Sequence, residues 1–154
     1  MHRLLAATVL ASALSLYAAD AASEKQVIDV VQKTFDAMAA KDADAIRKLF
    51  VPDARLIATH NGKLTSTPVE QFATRISAIP EPILERIWNP KVLVQGDIAI
   101  LWAEFDFHRA SKLSHCGIDV VNLLKTEDGW KIASIQFTVQ TTGCTPSPLG
   151  PPKP

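Results

Sequence analysis

The stretch Trp102–Asp119, WAEFDFHRASKLSHCGID, reads as a β-hairpin with acids and histidines set between aromatic residues. Strand side chains alternate between faces. Trp102, Glu104, Asp106 and His108 therefore share one face, and Ala103, Phe105 and Phe107 share the other. A turn centred on Ser111-Lys112 sets His108 across from His115, Asp106 from Gly117, Glu104 from Asp119 and Trp102 from Val121. Cross-strand partners lie on one face, so the acids and histidines gather together. A register shift of one residue would move each set to the opposite side.

The following hairpin indicates which face is inside. A three-residue turn at Glu127-Asp128-Gly129 places Asp119 beside Phe137, Val121 beside Ile135 and Leu123 beside Ala133. The same register pairs Val120 with Gln136 and Asn122 with Ser134, so the face carrying Asp119 is the more apolar. The expected arrangement is an apolar concave wall extended by Glu104, Asp106, His108, His115 and Asp119. A buried carboxylate needs a partner. A three-residue turn at Gln95-Gly96-Asp97 supplies Arg86 opposite Asp106 and brings Trp88 near Glu104.

Outward from the hairpin, the amino-terminal half is helical. Val27, Val30, Val31, Thr34, Phe35 and Met38 form an apolar stripe within Ser23–Lys41, with Ser23 as N-cap. DADAIRKLF gives a second helix, capped by Asp42 or Asp44 and stopped before Pro52. Asn61-Gly62 marks a two-residue hairpin turn. Thr67-Pro68-Val69-Glu70 reads as a capping box opening a third helix, which Pro80 and Pro82 end. Strands follow to about Thr141. Helices first and strands afterwards predict an α+β fold, with three helices packed on a strongly curved antiparallel sheet. Closed on one side by helices, such a sheet forms a cone able to hold a small ligand.

The chain has 154 residues, enough for one domain with a sizeable core. Sixteen basic residues balance sixteen acidic ones, and no basic face argues for nucleic acid. Met1–Ala21 reads as a signal peptide. His2 and Arg3 precede the uncharged run Leu4–Ala18, and Ala19-Asp20-Ala21 has the small residues of a cleavage site. Cleavage after Ala21 would leave a periplasmic or secreted protein without a membrane anchor, since the run is short for a span. The domain is expected over residues 22–143. Residues 144–154 hold five of the ten prolines and read as an extended, disordered tail.

The order of elements resembles the nuclear transport factor 2-like (NTF2-like) superfamily, and KDADAIRKLFVPDARL looks like its helix-to-strand junction. ERIWNPKVLVQGDIAILWAEFDF, SHCGID and DGWKIAS resemble the exported bacterial group labelled "putative lumazine-binding". The resemblance implies the cone fold over the mature domain and leaves function open, because the superfamily holds isomerases, dehydratases, cyclases, transport factors and binding modules. It also implies a homodimer through the outer sheet face. Two cysteines in an exported chain are a disulfide candidate. Recurrence of the pair in the resembled group favours a Cys116–Cys144 bond over two separate buried thiols. The expected register sets Cys116 opposite Gln140, so a bulge, or a fold-back after Thr141, must close the gap to Cys144.

Three functions stay open. The first is binding of a small, partly apolar molecule by Trp88, Trp102, Glu104, Asp106, His108 and Asp119, with Arg86 as charge partner. In the bland version of that geometry, Arg86 and Asp106 simply neutralise each other. The second is an isomerase- or dehydratase-type enzyme with Asp106 or Asp119 as base and His108 or His115 as acid. Related isomerases use a tyrosine-centred oxyanion site, whereas Tyr17, the only tyrosine, lies in the leader. The third is a non-catalytic dimerisation module with a filled cone. The sequence predicts no metal site or cofactor, since His60, His108 and His115 lack a third ligand at metal spacing and no glycine-rich phosphate loop or GxSxG elbow is present.

Overall fold

The computed structural model describes residues 4–152, with side chains described from Ala21 onward. Met1–Arg3 of the expected leader and the last two residues of the tail lie outside the described residues. Three helices, α1 (Leu4–Ala39), α2 (Ala43–Lys48) and α3 (Val69–Ser77), accompany six strands. The strands are β1 (Phe50–His60), β2 (Lys63–Pro68), β3 (Ile83–Gln95), β4 (Ile98–Arg109), β5 (Lys112–Thr126) and β6 (Gly129–Thr138). They form one sheet in the order β2-β1-β6-β5-β4-β3. The architecture is the expected α+β cone, with the sheet curled but left open at its edges.

Local chemistry accounts for most boundaries. Asp42 caps α2 by accepting a 2.9 Å bond from the Ala45 amide. Asn61 and Gly62, at φ 50° and 74°, make the two-residue turn between β1 and β2, a turn that needs both residues left-handed. Three local expectations change. Helix α1 runs without a break from Leu4, so Ser23 lies inside it instead of capping it. The capping box does not form: α3 begins at Val69 after Pro68, because Thr67 pairs with Leu56 in the β1–β2 ladder. β1 also pairs with β6 in parallel, which departs from an all-antiparallel sheet.

The core lies between the helices and the concave face. Val27, Val31, Phe35 and Met38 of α1 and Ala73 and Ile76 of α3 meet Leu101, Phe105, Val121, Leu123 and Ile132 of the sheet. At roughly 25 cal/mol per Å² of apolar surface, this burial dominates the fold's stabilisation. It also fixes orientation: odd-numbered β4 residues from Ala99 to Phe107 point inward. Among the described residues no helix is long and apolar enough to cross a membrane.

Candidate functional site

The inward direction of Phe105 and Phe107 overturns the face expected for the hairpin. Its turn is Ala110-Ser111, both left-handed at φ 48° and 62°, with Arg109 paired to Lys112. A bulge after Phe107 then sets Phe107 opposite His115, Asp106 opposite Cys116 and Ala103 opposite Asp119. The net displacement from the expected register is one residue. Because the side-chain period is two, the acid face is divided between the two sides of the sheet. His115 and Asp119 go inward with the phenylalanines. Trp102, Glu104, Asp106 and His108 go outward with Cys116.

A cavity of about 180 Å³ lies between the helices and the inner face. Its walls are mainly apolar: Phe35 and Met38 from α1, Phe72 and Ile76 from α3, and Phe105, Phe107 and Phe137 from the sheet. Glu85, His115 and Asp119 supply its polar wall. Asp119 is 2 % exposed, and among the described residues its Oδ2 has no hydrogen-bond partner. Glu85 keeps some accessible surface because it borders the cavity.

Desolvation raises the pKa of both carboxyls. Asp119 is pushed up to about 7, with hydrogen bonding to Glu85 opposing the rise. Glu85 is raised well above the ordinary carboxylate range by burial and by the adjacent Asp119 carboxyl. Two carboxylates in one low-dielectric site cannot both ionise cheaply, so the pair holds a proton near neutral pH. Burial, and then His60, lowers the pKa of His115 and favours its neutral form. Its ring packs against Phe107 and Phe105 at centroid distances of 5.0 and 5.7 Å. The polar wall thus offers a carboxylic O–H donor, carboxyl acceptors and a neutral imidazole. Among the described residues no lysine or arginine lines the cavity.

Glu85 was absent from the sequence-derived site. It neighbours Arg86 in ILERIW, so alternation places the two on opposite faces. Assigning the wrong hairpin face therefore selected Arg86 and hid Glu85.

The remaining predicted residues sit on the convex side. Arg86 does face Asp106 across β3 and β4. That pairing follows from a two-residue turn at Gly96-Asp97 and a bulge between Trp88 and Lys91, where a three-residue turn was expected. Arg86 Nε donates to Asp106 Oδ1 at 2.9 Å, and Nη2 donates to Oδ2. His108 Nε2 lies 3.1 Å from the same Oδ2. Burial raises the Asp106 pKa, but hydrogen bonds from Arg86 and His108 more than offset it and hold the carboxylate ionised. Trp88 is buried opposite Glu104, and Lys91 lies over the Trp102 ring at 5.1 Å. None of Arg86, Trp88, Trp102, Glu104, Asp106 and His108 lines the inner cavity.

Cys116 and Cys144 are disulfide-bonded, with Cα atoms 5.9 Å apart. Cys116 pairs with Gln140 as the register expects, and the chain folds back through Gly143 at φ 73° to return Cys144 to it. Residues 144–152 of the proline-rich tail have two anchors among the described residues, this bond and Arg86 Nη1 donating to Gly150 O at 2.9 Å. Leu123 pairs with Ile132, not Ala133, because the final hairpin uses a two-residue turn and a bulge. Among the described residues no three metal-ligating side chains converge.

Solved structures share this fold. An NTF2-like protein with a cystatin-like fold from Novosphingobium aromaticivorans superposes with a TM-score of 0.67 at 15% identity, covering 89% of this chain and 92% of that one. A "putative dehydratase" of the NTF2-like family from Streptomyces avermitilis gives 0.65 at 19% identity, covering 79% and 98%. An NTF-2 like protein of unknown function from Silicibacter pomeroyi gives 0.61 at 22% identity, covering 75% and 94%. A comparison with curated proteins finds no match. At the level of sequence, the model of the family described as "Putative lumazine-binding" matches residues 22–138, spanning the curled sheet and its helices, and the chain belongs to this family.

Proposed function

We propose that the inner cavity binds a small, compact, uncharged molecule, its apolar body against the phenylalanines and its polar edge against Glu85 and Asp119. The single observation carrying this reading is the buried, unpartnered Asp119 Oδ2 at the polar end of an otherwise apolar space. A buried polar atom without a partner costs about 1–3 kcal/mol, which a hydrogen-bonding ligand would recover. Volume limits the ligand. Drug-sized molecules occupy roughly 300–1,000 Å³, whereas an apolar cavity of about 150 Å³ accommodates benzene. One ring, or a compact fused pair such as the lumazine of the family's name, matches about 180 Å³ better. Charge limits it further, because among the described residues no cationic side chain lines the cavity to offset the desolvation of an anion.

Calorimetric titration with lumazine, benzamide and benzoate tests this reading. The neutral probes should bind, benzoate should not, and Asp119→Leu should abolish binding with the fold retained. Equal binding of benzamide and benzoate, or undiminished binding to the variant, would refute it.

One observation favours a second reading, proton transfer on the bound molecule. An acid with a pKa of about 7 facing a neutral imidazole across one cavity is poised for acid–base exchange near neutral pH. This is the isomerase- or dehydratase-type alternative with Asp119 as base. Asp119 is favoured over Asp106 as base, because the Asp106 carboxylate is engaged by Arg86 on the convex face, away from the inner cavity. A probe recovered unchanged supports binding alone, and solvent deuterium incorporated into it supports chemistry.

Two further elements belong to the proposal. Export after cleavage at Ala21 is supported by the uncharged Leu4–Ala18 run, by a family match that begins at residue 22 and by a disulfide suited to an oxidising compartment. A homodimer through the convex face is supported by the exposed Ile98, Ile100 and Leu124. Intact mass of the exported protein and light scattering test these two elements.

A further inference from the structure

On the convex side a second cavity, of about 360 Å³, lies between the sheet and residues 144–152. Its floor is Arg86, Asp106 and His108, and its cover includes Thr145, Pro146 and Gly150–Pro152. The floor is unusual for an outer sheet face: Asp106 and His108 are only 5% and 6% exposed. His108 Nε2 lies between Asp106 Oδ2, at 3.1 Å, and Arg86 Nη2, at 3.4 Å. The ring is thereby held in place, and its Nδ1 is buried and without a hydrogen-bond partner among the described residues.

The cover is a strap without helix or strand, held at Cys144 by the disulfide and at Gly150 by Arg86. Its prolines fix φ and lower the entropy cost of lying in one path. We infer that this strap is a thiol-released cover, and that opening it exposes His108, held at Nε2 between Asp106 and Arg86, to small molecules carrying a hydrogen-bonding group for Nδ1. An external dithiol supplies the trigger. Its thiolate attacks one cysteine sulfur and breaks the S–S bond. Resolution leaves two protein thiols and the dithiol as its own disulfide, with two electrons and two protons passed to the protein. With the covalent anchor gone, the Arg86–Gly150 contact is the one hydrogen bond from the named strands to the strap among the described residues, and a single hydrogen bond cannot hold nine residues against their conformational entropy.

The test uses the intact chain, oxidised, reduced with dithiothreitol, and as Cys144→Ser. Diethyl pyrocarbonate is the probe, because it acylates unprotonated imidazole nitrogen, and peptide mass spectrometry reads the site. Exposed His60 serves as internal reference. Relative to His60, His108 should be poorly modified when oxidised and about tenfold or more faster when reduced or substituted, as local opening would give. Hydrogen exchange should show the amides of Leu149 and Gly150, both bonded to Ser147, losing protection while those of Leu101 and Phe105 keep it. His108 equally reactive in all three forms, or a strap that stays protected after reduction, would overturn the inference. So would core amides that lose protection together with the strap, since the opening would then be global.

Discussion

Replacing Asp119 with asparagine removes the titratable group and keeps its size. In the folded protein Asp119 is pushed from 3.8 to about 7 by burial. A raised carboxyl contributes stability that is fully present below the unfolded pKa and is lost as pH rises through the folded one. At 1.36 kcal/mol per pH unit, that interval corresponds to about 4 kcal/mol lost between roughly pH 4 and pH 7. Glu85 is raised too, partly by Asp119, so the pair titrates together and part of the slope survives in the single variant. Urea denaturation from pH 4 to 8 gives the measurement. The wild type should lose stability across this range, and Asp119→Asn should be flatter and more stable than wild type at pH 8, by up to about 4 kcal/mol. Glu85→Gln together with Asp119→Asn should be flatter still. A wild type as stable at pH 8 as at pH 4, or a variant with the wild-type slope, would refute the placement of this pair in a dry cavity.

Other perturbations separate the two faces. Arg86→Ala leaves the Asp106 carboxylate buried without its main partner and should cost about 3–5 kcal/mol; pairing it with Asp106→Leu should recover most of the loss in chemical denaturation. Gly117→Ala should cost about 1–3 kcal/mol by the same measurement, because a Cβ there meets the Thr138 carbonyl. Ile76→Phe directs a larger ring into the inner cavity and should abolish benzamide binding while leaving the fold intact by circular dichroism. The non-reduced protein should have the mass of one disulfide and no free thiol.

The fold was legible because its signals are local and repeated. The helical stripe of α1 and the Asn61-Gly62 turn need no tertiary knowledge. The Arg86–Asp106 and Cys116–Gln140 pairings were legible as well, the first although its turn was misread, because a bulge restored the count. The candidate site was less legible because it hangs on one residue of register. Ala110 and Ser111 adopt left-handed backbone that their side chains do not announce, unlike Asn61-Gly62. The bulge after Phe107 leaves no mark in the sequence either. One cue was present: Ala103, Phe105 and Phe107 are more apolar than Glu104, Asp106 and His108, and burial favours the phenylalanines by roughly 2 kcal/mol or more each. Weighing that cost above the charge of the acid face would have turned the hairpin over and brought Glu85 into view.

The most direct test of the account is a carbon-detected carboxyl NMR titration of Asp119 in the mature protein. A carboxyl that titrates near pH 7 and shifts when benzamide is added is the predicted result. An Asp119 that titrates near pH 4 and ignores the probe would place the group in water and contradict the inner-cavity site.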